Sequence, residues 1–276
     1  MEVESLGGAL GAEIRGVDAR APKDGEIAEI REALLEHEVV FLRETGLDDE
    51  GHLAFAARFG KPSVFPLFAV LGETEPTFQT ITDGPESPPS ADYWHTDVTW
   101  TGEPPTAAFL RATIVPERGG DTMWGSMTAA YEALSARMRA FCDGLHVRHD
   151  NTSFIRGLEK KLGTEVASEW AAKLREAYPP VEHPLVRTHP ETGKKALLWG
   201  GGFMREVVEL TKPESDALLD FLGRHIDQPI FHARWRWQVG DLAIWDERST
   251  VHRGLSDHFP RAREVRRCVI DGDRPV

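Results

Sequence analysis

The chain has 276 residues, near the upper end of what one hydrophobic core supports, so a single domain over residues 1–276 is expected. Apolar residues make up 41% and charged residues 28%, the balance of a soluble globular protein and not of a disordered one. A net charge of −13 argues against a nucleic-acid partner, whose phosphates must be neutralised by Lys and Arg.

From the N-terminus, MEVESLGGAL lacks the basic stretch and long apolar core of a signal peptide, and no later run approaches the roughly 20 apolar residues that span a bilayer. No membrane partner is expected. Only Cys142 and Cys268 are present, too few for a disulfide framework or a thiolate zinc site, and a reducing cytoplasm fits best. Ile27, Ile30, Leu34 and Leu35 repeat at helical spacing over 24–37, and Val39-Val40-Phe41-Leu42 then reads as a buried strand. A helix is expected over 48–59, ended by Gly60 and Pro62, and 72–92 is expected as one long loop. Further helices are predicted at 128–141, 165–178 and 212–226, the last opened by the capping-box pattern Thr211-Lys212-Pro213-Glu214. Phe231, Ala233, Trp235 and Trp237 alternate with polar residues as in a half-buried strand, and Leu242-Ala243-Ile244-Trp245 follows Gly240-Asp241, which predicts a hairpin. Strands mixed with helices, without regular βαβ alternation, give an α+β chain around a mainly antiparallel sheet or barrel.

The segment Tyr93-Trp94-His95-Thr96-Asp97-Val98-Thr99-Trp100 carries the most chemistry. On a strand, residues two apart share a face, so His95 and Asp97 would offer an imidazole and a carboxylate to one point. Two histidines and one carboxylate suit iron(II) and leave positions open for other ligands. A local hydrogen-bond network is the plainer explanation for such a pair among apolar neighbours. For a third ligand His252 stands out, just beyond the predicted hairpin strand. His37, His52, His225 and His232 fit surface or packing roles, while His146, His149, His183, His189 and His258 fall in predicted loops without an assigned role. The run Gly200-Gly201-Gly202 has no Gly-Lys-Ser/Thr after it and reads as a turn or close backbone contact, not a phosphate loop. Arg261, Arg263, Arg266, Arg267 and Arg274 crowd the C-terminus, either as a solvated edge or with some facing inward to hold anions.

Together these residues resemble the taurine dioxygenase family of iron(II)/2-oxoglutarate oxygenases, which includes alkylsulfatases and phenoxyacetate-herbicide dioxygenases. The likeness is densest in YWHTDVTW (93–100), ERGGDTMWGSMTAAYEALS (117–135), HPLVRTHPETGKKAL (183–197), RWRWQVGDLAIWDERSTVH (234–252) and RRCVIDGDRP (266–275). The resemblance implies a double-stranded β-helix, or jelly roll, flanked by helices. It places the metal ligands on His95, Asp97 and His252, the 2-oxoglutarate residues on Thr122 and Arg263, and the contact to the substrate's anionic end on Arg267. A guanidinium grips a carboxylate bidentately, which suits both arginines. Their four-residue spacing on a predicted strand would turn both toward the interior.

The implied activity is hydroxylation of a small organic anion, a sulfonate, alkyl sulfate or carboxylate with an apolar body. It would use Fe(II), 2-oxoglutarate and O₂ and give succinate and CO₂. Related halogenases lack the metal carboxylate; Asp97 is present, so hydroxylation is expected. Taurine dioxygenase itself has His and Tyr where this chain has Phe65 and Phe68, and Asn where it has Ala91, which argues against taurine as substrate. Phe65, Phe68, Val98, Trp100, Phe154, Trp199 and Phe203 are candidates to line a larger, more apolar pocket, with core packing as the alternative. Relatives often form dimers or tetramers, so a homo-oligomer is expected. Two other classes stay open: a non-redox zinc hydrolase using the same three ligands, and a non-catalytic jelly roll that binds a metabolite.

Overall fold

A computed structural model describes the backbone of residues 1–276 and every side chain except those of Thr164 and Val166. Strands β1 (Glu2–Ser5) and β2 (Ala12–Arg15) lead into α1 (Asp24–His37), which buries Ile27, Ile30, Ala33 and Leu34 along one stripe. Next come β3 (Val39–Leu42), α2 (Asp49–Ala56), α3 (Pro66–Val70), β4 (Gln79–Asp83) and β5 (Ala107–Ile114). Helix α2 stops short of residue 59 because Arg58 and Phe59 donate three residues back, to Phe55 and Ala56, and tighten the chain into a turn. The stretch 72–92 is not one loop: it contains β4, an edge strand whose backbone pairing compensates for its few apolar residues.

Strand β6 (Thr122–Ser126) precedes α4 (Met127–Ala133) and α5 (Ala136–Cys142). These replace the single helix predicted over 128–141, because Ser135 starts a new helix by accepting the Met138 N–H at 3.3 Å. Then follow β7 (His146–His149), α6 (Thr152–Leu162), α7 (Thr164–Ala177), β8 (Val181–Pro184), β9 (Val186–Thr188), β10 (Lys195–Leu197) and β11 (Met204–Val207). Helix α8 (Lys212–Ile226) has the expected capping box, in which the Thr211 N–H donates to Glu214 Oε2 at 2.9 Å. The chain closes with β12 (His232–Trp235), β13 (Leu242–Asp246), β14 (Thr250–Gly254) and β15 (Arg263–Ile270).

Seven strands form the larger sheet, in the order β1-β2-β3-β13-β5-β15-β4, and it faces a three-stranded sheet, β12-β6-β14. These are the two walls of a double-stranded β-helix. Strand periodicity sorts the side chains. Phe41, Ala243, Trp245, Val265 and Val269 point between the walls, where they meet Trp124, Trp235 and Trp237. Val40, Leu42, Ile244, Cys268 and Ile270 point outward under α1 and α2. Both faces of the central strands are therefore covered, which is why they read as continuous apolar runs.

The predicted hairpin between 231–238 and 242–245 does not form. Strand β12 pairs with β6 and β13 with β3 and β5, so the two lie in opposite walls. The buried carboxylate of Asp241 holds the crossing between them: it accepts the Trp235 indole N–H at 3.1 Å and the Gln238 N–H at 2.9 Å, beside Gly240 at φ 86°. Among the described residues no helix is long and apolar enough to cross a membrane, and Cys142 and Cys268 are free and buried.

Candidate metal centre

His95 and His252 come together as an isolated antiparallel bridge, the His95 N–H donating to the His252 carbonyl at 3.1 Å and the reverse bond measuring 2.9 Å. Their ring centroids are 4.3 Å apart. Asp97 reaches the same point, but not from a strand as expected. Residues 97–100 form a turn in which Val98 has φ 54° and the Thr101 N–H donates to the Val98 carbonyl at 3.0 Å. Left-handed backbone is costly for a β-branched residue and persists only where surrounding contacts hold it.

Those contacts are present. The Thr96 N–H donates to the Trp199 carbonyl at 2.9 Å, and the Asp97 N–H to Glu247 Oε2 at 3.0 Å. His183 Nε2 donates to the carbonyls of Thr99 and Thr101 at 2.9 and 3.0 Å, and His149 Nδ1 lies 2.9 Å from Thr99 Oγ1. His149 and His183 thus belong to β7 and β8, not to loops, and brace the ligand turn from behind. The glycine run packs against the same turn: a Cβ on Gly201 would fall 2.3 Å from the Trp94 carbonyl oxygen, and one on Gly200 2.3 Å from Thr99 Oγ1. It is a close backbone contact, as its sequence suggested.

The ligand atoms of His95, Asp97 and His252 all lie within 4.8 Å of one another, and all three residues are buried. His95 Nε2 is 3.7 Å from Asp97 Oδ1, and His252 Nε2 is 3.9 Å from Asp97 Oδ2. His95 Nδ1 donates to the Tyr93 carbonyl at 2.9 Å, which leaves the lone pair of Nε2 aimed at the shared point. Burial pushes both imidazoles below their ordinary pKa, His252 well below. Burial alone would raise Asp97, but the Arg267 guanidinium holds it below the usual carboxylate range. Two neutral imidazoles and one carboxylate, with their ligand atoms converging, form a donor set that fits iron(II).

On the same cavity, Arg263 Nε donates to the Gly120 carbonyl at 2.9 Å and Nη2 to Thr122 Oγ1 at 3.2 Å, with Asp83 Oδ2 3.5 Å from Nη1. Gly120 has φ 73°, and a Cβ there would come within 3.0 Å of Arg263 Cδ. The Trp237 indole also donates to Thr122 Oγ1, at 3.0 Å. Arg267 points to the same interior as Arg263, donating to Asp97 and Gln79. The C-terminal arginines therefore divide: Arg263 and Arg267 are buried, Arg266 reaches Asp49, and Arg261 and Arg274 are exposed.

Phe65, Val98, Trp100 and Phe203 are buried in one apolar group, with Phe68 and Phe154 at its margin. The Phe65 ring lies 5.7 Å from both Phe68 and Phe154. Trp199 does not join them; it packs with the group beneath α8. Ala91 lines the cavity that holds His95, His252, Thr122 and Arg263. Asp83, Gln79 and Glu247 also border the site, and no motif in the sequence marks the first two. For Glu247 a signal was there, a second acid beside Asp246 in an otherwise apolar strand end.

The architecture defines a jelly roll with a buried two-histidine, one-carboxylate centre. The model of the Taurine catabolism dioxygenase TauD, TfdA family matches residues 2–269, and the chain belongs to that family of dioxygenases. It is 34% identical over 278 residues to an alpha-ketoglutarate-dependent sulfate ester dioxygenase from Pseudomonas putida, covering 100% of this chain and 91% of the relative. Among solved structures it is similar to a taurine dioxygenase from Burkholderia xenovorans, with 38% identity, a TM-score of 0.82 and coverage of 100% and 92% of the two chains. AAD-2, solved in complex with Mn(II) and N-oxalylglycine, superposes with a TM-score of 0.81 at 26% identity, covering 99% of this chain and 98% of that one. The expected dependence on iron(II), 2-oxoglutarate and O₂ accords with this membership and with the donor set.

Proposed function

We propose that this dioxygenase hydroxylates a small organic anion with an apolar body, an alkyl sulfate, sulfonate or carboxylate, with formation of succinate and CO₂. The observation that carries this reading is a cavity lined by His95 and His252 at one place and by the Arg263–Thr122 pair at another, with the Asp97 carboxylate converging on the two histidines. His95, Asp97 and His252 would hold iron(II), and Arg263 and Thr122 the distal carboxylate of 2-oxoglutarate. When bound, the metal and the oxo acid supply the oxidising power drawn from O₂. The chain's own residues bind, orient and exclude water.

Arg263 presents a buried fork that suits a carboxylate, already steadied by the Gly120 carbonyl. Arg267 would meet the anionic head of the substrate, and Phe65, Phe68, Val98, Phe154 and Phe203 its apolar body. A sulfate-ester substrate is supported by the Pseudomonas putida relative. Hydroxylation at the carbon bearing the sulfate gives an adduct whose C–O bond breaks to leave a carbonyl product and inorganic sulfate. Taurine fits poorly: Phe65, Phe68 and Ala91 offer its amine and sulfonate no polar partner, at about 1–3 kcal/mol for each unmatched buried group. A zinc hydrolase built on the same three ligands would leave the Arg263–Thr122 pair without a task.

Residues 1–276 make up one domain on this reading, which shared strands of the large sheet from both ends of the chain support. We further propose a homo-oligomer, dimer or tetramer, in a reducing cytoplasm; the two free cysteines support the compartment. The test is O₂ uptake with iron(II) and 2-oxoglutarate across a panel of organic anions. Uptake coupled to succinate for alkyl sulfates or sulfonates supports the proposal. Turnover without O₂, or no uptake with any anion, refutes it.

A further inference from the structure

Asp97 stands in a turn with left-handed backbone at Val98, so its carboxylate is aimed only as well as outside contacts hold that turn. One such contact comes from the opposite side of the site. Glu247, 3% exposed, accepts the Asp97 N–H on Oε2 at 3.0 Å and the Trp245 indole N–H on Oε1 at 2.7 Å. It stands in the connection between β13 and β14, which runs directly into His252. That connection is itself fixed. Asp246 accepts from His189 Nε2 at 3.0 Å and Arg248 Nε at 2.9 Å, its carbonyl accepts from Thr250 Oγ1 at 2.7 Å, and Arg248 Nη1 reaches Glu191 at 2.7 Å.

We propose that Glu247 is a positioning residue that registers the Asp97 turn against the β13–β14 connection, so that the carboxylate and the His252 imidazole meet on one ion. The inference rests on reading Asp97 and His252 as metal ligands. Its chemistry is a matter of acceptors. A carboxyl group keeps lone pairs on both oxygens whether or not it is protonated, and so meets two N–H donors. A glutamine has nearly the same shape but one acceptor, and its NH₂ must face either the Asp97 N–H or the Trp245 indole.

The test compares Glu247→Gln, Trp245→Phe and the double variant by Mn(II) affinity in the full chain, alongside kcat, KM and thermal unfolding. Glu247→Gln is expected to weaken Mn(II) binding about 10- to 100-fold, as losses of groups that orient ligands do, and to lower kcat while the KM for 2-oxoglutarate holds. Removing the indole donor leaves one N–H for one acceptor, so the double variant should bind Mn(II) as Trp245→Phe does. Unchanged affinity in Glu247→Gln, a loss of thermal stability without a loss of affinity, or no recovery in the double variant overturns the inference. Should Glu247→Gln not fold, unequal affinities of Trp245→Phe and the double variant overturn it, and equal ones support it. The ligand reading fails separately, if Asp97→Ala binds Mn(II) as tightly as the wild type.

Discussion

Arg267 donates to Oδ2 of Asp97, the same oxygen that His252 Nε2 faces at 3.9 Å. The residue assigned to the substrate's anionic head thus touches the carboxylate assigned to the metal. On those assignments, substrate recognition and metal binding would share one charged contact, inside a chain of net charge −13.

Asp97→Ala should abolish substrate-dependent succinate formation while leaving the fold in place, since Arg267 keeps Gln79 as a partner. Succinate release and far-ultraviolet circular dichroism check the two halves. Full activity in this variant would rule out the ligand set.

Arg263→Ala should raise the 2-oxoglutarate requirement by about 10- to 100-fold, the equivalent of one or two charge-assisted hydrogen bonds, and leave iron affinity near wild type. Arg263→Lys should recover little, because an ammonium cannot form the fork. Titration of 2-oxoglutarate against succinate production decides this, and an unchanged requirement would place the cosubstrate elsewhere.

Phe154→Ala should shift substrate preference toward longer apolar bodies. The ring stands at the margin of the aromatic group, 5.7 Å from both Phe65 and Trp100, so its loss opens space without emptying the core. A series of alkyl sulfates of increasing length reports the shift in kcat/KM. An unchanged optimum would mean that these aromatics are packing alone.

His52 gives a pH dependence with a defined sign. Burial, with Arg111 nearby, pushes its pKa down to about 3, against roughly 6.5 in the unfolded chain. The unfolded state therefore takes up this proton first as pH falls, and folding loses stability below about pH 6.5 and on toward the folded value. Between pH 7 and 5 the contribution is on the order of 1–2 kcal/mol. Urea unfolding at the two pH values should show a smaller difference in His52→Gln than in wild type; equal differences would mean that the buried ring is not held neutral.

Where local chemistry decides, the sequence was readable. The Thr211–Glu214 box set the start of α8, and the spacing of Ile27, Ile30 and Leu34 set α1. The convergence of His95, Asp97 and His252 was readable because a motif keeps its order along the chain even when its members lie far apart in sequence. What failed were inferences from proximity in sequence. Trp235 and Leu242 looked like hairpin neighbours, yet Asp241 turns the chain from one wall to the other, in a corner whose carboxylate also accepts from Arg43 and the Glu44 N–H far along the chain. Asp97 looked like a strand partner of His95, but the His183 and Glu247 contacts that bend its turn come from residues far along the chain. Gln79–Asp83 was hidden because an edge strand draws its stability from the backbone of β15 and needs little apolar sequence.

The most direct measurement is an anaerobic titration of the metal-free protein with iron(II) and then 2-oxoglutarate, in wild type and in His252→Ala. The account predicts one iron per chain in the wild type, a visible charge-transfer absorption that grows in with the oxo acid, and loss of both in the variant. Iron and 2-oxoglutarate binding that survive undiminished in His252→Ala would contradict it.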